Sequence, residues 1–194
     1  MAATPVTAIL AEIAGVEFDV PPNLIGRGTG VCVSAYTHTE EGYDIEDMAA
    51  QWAQTYRLIN KIRHHTDQLA RYETLGLEDA EVVAVAYGAN ARTVKTGVLE
   101  ARRRGVKAGF VRPITLWPFL DELYERDCRY VVCELNYDGQ LVREVMRAAP
   151  DKKKVHFMGK SAELHTVAEV AAGLEGVARS NRVPELPYIW TEVR

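Results

Sequence analysis

No stretch of this chain stays apolar for the roughly 20 residues that a membrane-spanning helix needs, so no membrane partner is expected. Positive charge is not in excess: 23 Lys and Arg stand against 27 Asp and Glu, a formal charge of −4. That balance lacks the basic face on which sequence-independent nucleic-acid binding depends. Cysteine is scarce, with three residues at Cys32, Cys128 and Cys133, none in CxxC spacing. An iron–sulfur or zinc site needs three or four converging soft ligands, which this pattern does not supply. An odd count of unpaired thiols suits a reducing cytoplasm. Cys128 and Cys133 flank or enter an apolar strand and read as packing residues. The amino end has no basic region ahead of its short apolar segment, residues 7–16, so a signal peptide is not expected either.

Two glycine patterns fall short of phosphate loops. Gly26, Gly28 and Gly30 precede an apolar run (residues 31–33), whereas a dinucleotide fingerprint follows a strand and opens a helix. They read as a connector, in keeping with Pro21 and Pro22 just before them. Gly159-Lys160-Ser161 does follow a strand and precede a helix. However, Lys154 stands where a P-loop needs its first glycine, and without that turn the amides cannot wrap a phosphate. No nucleophile–base pair, carboxylate pair or metal cluster emerges, so chemistry alone points to a non-catalytic module.

What is present is ordinary globular material, 47% hydrophobic and 26% charged, enough for a sizeable core. Residues 82–86 form a β-branched apolar run that stops at Tyr87-Gly88. Asn90 follows as a helix N-cap, with Ala91, Val94, Val98, Leu99 and Ala101 at helical spacing. Arg102, Arg103 and Arg104 complement the negative end of that helix, Gly105 stops it, and a second apolar run begins at residue 106. Strand, helix and strand in so short a span make a right-handed βαβ unit with parallel strands. The alternation continues with a helix opened by Pro118, a strand at 130–135, a helix at 141–149 and a strand at 155–158. Thr166-Val167-Ala168-Glu169 fits a capping box that starts a last helix. The fold class is therefore α/β, a doubly wound, mostly parallel sheet of four or five strands with helices on both faces.

Ahead of the sheet, Met48, Trp52, Tyr56, Ile59, Ile62, Leu69 and Tyr72 recur every three or four residues over residues 46–73. This predicts one long accessory helix whose apolar stripe reaches a partner. His64 and His65, adjacent on a helix, diverge too far to chelate one ion. The organisation expected is an arm and connector (1–45), the long helix (46–76), and an α/β domain with a docked aromatic tail (77–194). His38, among Thr37, Thr39, Glu40 and Glu41, is either a locally bonded loop residue or an interface residue. Trp52, Tyr56, Ile59 and Trp190 are the other interface candidates. In doubly wound sheets a ligand site lies at the C-terminal edge of the strands. There the contact candidates are Gly88, Asn90 and Arg92, then Arg112 and Thr115, then Glu134 and Asn136. One reading of them is a free-standing module that holds an anionic metabolite through Arg92, Arg112 and the helix amides near Gly88 and Asn90.

Four stretches, THTEEGYD (37–44), AYGANAR (86–92), VRPITLWPF (111–119) and ELNYDGQLVREV (134–145), occur in this order in a known family. Together they resemble the C-terminal part of the α subunit of 2-oxoacid:ferredoxin oxidoreductases of the 2-oxoglutarate and branched-chain type. The likeness covers about residues 25–175. Ala35, Thr39 and Leu120 stand where the family usually has Gly, Asp and Pro, and the turn between Asn136 and Gly139 is one residue longer. The resemblance implies a transketolase C-terminal-like α/β domain that contacts the thiamine-diphosphate-binding domains without holding the cofactor. It implies no cofactor in this chain, with thiamine diphosphate, magnesium and iron–sulfur clusters in partner chains. Oxidative decarboxylation of a 2-oxoacid to acyl-CoA, with 2-oxoglutarate as the best match, would belong to the homo- or hetero-oligomeric assembly.

Overall fold

The computed structural model describes Thr37, Asp44 and residues 46–193. His38, Cys32, the glycine-rich connector and the apolar run at 31–33 lie outside the described residues. The chain divides into two compact units, Met1–Leu69 and Ala70–Arg194.

In the first unit, helix α1 runs over Met48–Arg63, with the Asp47 side chain accepting from the Ala50 amide at 2.8 Å. A short helix α2 covers Thr66–Leu69. The single long helix expected over 46–73 is therefore corrected. The helix stops at His64-His65, where the Thr66 hydroxyl donates to the Arg63 carbonyl. Tyr72, which fell in step with the helical stripe, belongs instead to strand β1, Tyr72–Leu75.

In the second unit the other strands are β2 (Val82–Val85), β3 (Ala108–Pro113), β4 (Arg129–Glu134) and β5 (Val155–Gly159). The helices are α3 (Asn90–Arg103), α4 (Leu141–Ala148) and α5 (Val167–Ser180), with a 3₁₀ turn at Asp121–Tyr124. The sheet order is β1-β3-β2-β4-β5. Strands β2 to β5 pair in parallel as the βαβ reading requires, while β1 runs antiparallel along the β3 edge. The α-helix expected to open at Pro118 is corrected as well. The Trp117–Pro118 bond is cis, and only the one 3₁₀ turn follows.

Successive side chains of a strand face opposite ways, and both faces of this sheet are covered. On one face α3 and α5 pack together over Val82, Ala84, Phe110, Val131 and Met158. On the other, α4 and the 3₁₀ turn cover Val83, Val85, Val111, Val132 and Phe157. Two-sided burial explains why these strands read as continuous apolar runs rather than alternating ones. The aromatic tail docks on the domain itself. Trp190 exchanges backbone hydrogen bonds of 2.8 and 2.9 Å with Gly159 at the β5 edge, and its ring meets Tyr137 edge-on with centroids 4.7 Å apart. Cys128 and Cys133 are both buried free thiols, and burial pushes Cys133 up to about 12.

Candidate functional site

Among the described residues the buried polar side chains are Asn90, Glu134, Lys160 and His165. All four stand where a parallel strand has just ended. Glu134 closes β4 and turns its carboxylate onto the start of α4. There it accepts from the amides of Gln140, Leu141 and Val142 at 2.9 to 3.1 Å, and from Asn136 Nδ2 at 2.9 Å. A carboxylate at a helix N-terminus satisfies amides that have no partner inside the helix and meets the positive end of its dipole. Asn136 Oδ1 in turn accepts from the Gly139 amide at 2.6 Å, which locks the intervening turn.

Asn90 corrects its expected role as an N-cap. It occupies the first helical position, after Ala89, and its side chain turns inward. Its amide nitrogen lies 3.2 Å from the Cys133 carbonyl and 2.9 Å from His165 Nδ1, and its oxygen accepts from the His165 amide. His165 Nε2 lies 3.1 Å from the Met158 carbonyl, which can only accept. The imidazole is thus neutral, with its proton on Nε2. Burial, with the Lys160 charge adding to it, lowers its pKa to about 4 against the opposing influence of Glu169 and the Met158 carbonyl.

Lys160, the lysine of the incomplete P-loop, is committed elsewhere. Its Nζ contacts both carboxylate oxygens of Glu169 at 3.0 and 3.1 Å. Glu169 completes the expected capping box with Thr166. Burial pushes Glu169 up, but the Thr166 amide and Lys160 outweigh it and hold the carboxyl below its usual value.

With its polar groups turned inward, this edge presents apolar side chains to solvent. Ile114, Leu116 and Trp117 after β3, Leu135 and Tyr137 after β4, and Leu164 after β5 are all exposed, Trp117 by 57%.

The match to known proteins runs through these same strands and loops. Residues 80–170 match the model of the family described as pyruvate:ferredoxin oxidoreductase core domain II. The 2-oxoglutarate synthase subunit KorA of Methanocaldococcus jannaschii is 35% identical over 156 residues, 79% of this chain and 42% of its own length. The ketoisovalerate oxidoreductase subunit VorB of Methanothermobacter marburgensis is 41% identical over 95 residues, 46% of this chain and 27% of its own length. The chain carries a 2-oxoacid:ferredoxin oxidoreductase subunit domain. It spans less than half the length of these relatives. A solved 2-oxoglutarate:ferredoxin oxidoreductase from Magnetococcus marinus has the same fold over 73% of this chain and 26% of its own, with a TM-score of 0.62 at 21% identity.

Within this oxidoreductase domain the contact candidates separate into two groups. Asn90 and Asn136 are consumed inside the fold. The Thr115 hydroxyl accepts from the Arg71 amide at 3.2 Å. Arg112 pairs at 3.4 Å with Glu73, which also binds Lys95 and is held below the usual carboxylate range chiefly by that lysine. Gly88, at a φ of +60°, and Arg92 remain exposed. Arg92 and Arg112 therefore do not act as a matched pair of free cations. Glu134, a further candidate at the end of β4, is likewise consumed inside the fold, whereas the buried Lys160 and His165 were not among the candidates. Their only sequence signal was an ionisable residue at the end of an apolar strand or next to a capping box.

Proposed function

We propose that this chain is the transketolase C-terminal-like part of an α subunit, and that it serves as a docking domain within a 2-oxoacid:ferredoxin oxidoreductase assembly. The observation that carries the reading is the inverted chemistry of the sheet's C-terminal edge. There Asn90, Glu134, Lys160 and His165 are buried with their polar atoms bonded, and six large apolar side chains face outward. Catalysis needs reachable groups with tuned acidity, whereas a patch of exposed aromatic and aliphatic side chains suits contact with another protein surface.

The same side chains do not fit thiamine diphosphate or its magnesium ion. Glu134 gives both carboxylate oxygens to α4, Lys160 is held by Glu169, and among the described residues no three of His, Cys, Asp and Glu are grouped to hold a metal ion. Thiamine diphosphate, magnesium and iron–sulfur clusters then belong to partner chains. The resemblance to KorA subunits supports 2-oxoglutarate as the substrate of the assembly. Among the described residues no helix is long and apolar enough to cross a membrane, in keeping with a cytoplasmic assembly.

The test is co-expression of the tagged chain with subunits that carry the thiamine diphosphate motif. Co-elution is expected, with 2-oxoglutarate-dependent ferredoxin reduction in the complex and none in the chain alone. Leu116→Asp with Trp117→Asp should abolish co-elution while leaving the far-UV spectrum unchanged. Retention of the partners by that variant, or turnover by the chain alone, would overturn the reading.

A further inference from the structure

Helix α1 is amphipathic, yet none of its 16 residues is buried. A helix this short is marginal in water without tertiary support, so its apolar stripe calls for a covering surface. At about 100° per residue, Met48, Trp52, Tyr56, Ile59 and Arg63 fall within about 80° of one another around the axis. Met48 is 83% exposed and Trp52 is 67% exposed. Trp52 and Tyr56 are stacked at 5.1 Å, so the centre of the stripe is already a rigid aromatic platform. Arg57 and Lys61 lie about 140° to 180° from its middle and stay clear of any partner.

We infer that this stripe pairs with the same stripe of a second copy of the chain, the two helices running antiparallel. The charge distribution selects that occupant and that direction. Arg63 ends the stripe at its carboxyl end, and Asp44, Glu46 and Asp47 precede its amino end in the chain. A two-fold axis near residues 55 and 56 sets Trp52 opposite the partner's Ile59, and Met48 opposite the aliphatic stem of the partner's Arg63. The partner's Arg63 guanidinium then reaches Asp44 and Glu46. A parallel pair would instead set Arg63 against the partner's Arg63. Such isologous contacts, in which one patch meets its own copy, are the commonest route to a dimer. The stripe and the docking edge share no residue, so either proposal can fail without the other.

The experiment is sedimentation velocity on the full chain over a concentration series. The wild-type chain is expected to dimerise. Trp52→Glu should weaken the dimer about a hundredfold, as loss of a central aromatic anchor does. Arg63→Glu should weaken it about tenfold through like charges at the rim. Asp44→Lys with Glu46→Lys, added to Arg63→Glu, should restore the dimer and leave the Asp47 cap in place. A wild-type chain that is monomeric at every concentration, a dimer indifferent to Trp52→Glu, or charge reversal without rescue would overturn the pairing. Circular dichroism of each variant confirms that α1 is still formed.

Discussion

Single residues at the strand ends hold the most concentrated energy in this fold. The Glu134 carboxylate, itself closed to water, serves three backbone amides and one side-chain amide. Glu134→Ala leaves those donors without partners, and a loss of about 3 kcal/mol is expected. Urea unfolding checks this; a midpoint within error of wild type would contradict it. His165 adds a pH dependence with a definite sign. Its folded pKa of about 4 lies below the ordinary 6.5, so the unfolded chain takes up its proton first. The stabilisation is complete above about pH 6.5, declines as pH falls toward 4, and amounts to about 3 kcal/mol at most. Glu169, also depressed, loses stabilisation in the same direction below its ordinary range. A His165→Gln variant should therefore show a flatter stability curve between pH 6.5 and 4 than wild type. An unchanged slope would show that the imidazole is not buried as a neutral ring. Glu134 was legible as a candidate by its place at a strand end, but His165 was not, because a histidine in a loop looks like surface until the chain brings its partners around it. Asn90 shows the same difficulty: a good N-cap by type, it is recruited by Cys133 and His165 from two other segments.

At the level of elements, the parallel strands and their helices were legible because both faces are covered and each strand is built on an apolar core of residues. The capping box at Thr166 was legible because it needs only local residues. Strand β1 was not, since Tyr72-Glu73-Thr74-Leu75 offers four alternating residues and its leading aromatic continues the period of the preceding helix. What places it in the sheet is pairing with β3, including Glu73 opposite Arg112, which no local pattern reveals. The 3₁₀ turn after Pro118 escaped for a related reason: proline suits a helix start, but also a turn. The contact between α3 and α5 gives a sharp test of packing. A Cβ on Gly97 would lie 2.5 Å from the Val170 Cβ, closer than two carbons can approach. Gly97→Ala should cost about 2 kcal/mol by forcing the helices apart. Val170→Ala in that background should recover part of the loss, which thermal unfolding of the two variants would show. A neutral Gly97→Ala would mean the two helices are not in contact.

For the molecule as a whole, buried charge and exposed aromatics at one edge of the sheet make sense together if that edge is covered in an assembly. Satisfied polar groups fix the loops after β3, β4 and β5 in place, and those loops carry Trp117, Tyr137 and Leu164 outward on a rigid base. On the proposed function, the chain would contribute shape and contact area, and the redox chemistry would reside in its partners. Hydrogen exchange tests this most directly, on the chain alone and after addition of the thiamine-diphosphate-binding subunits. Strong new protection is expected in residues 114–119 and 135–140, with the helices α3 and α5 unchanged. Exchange in those two loops that is the same with and without the partners would contradict it.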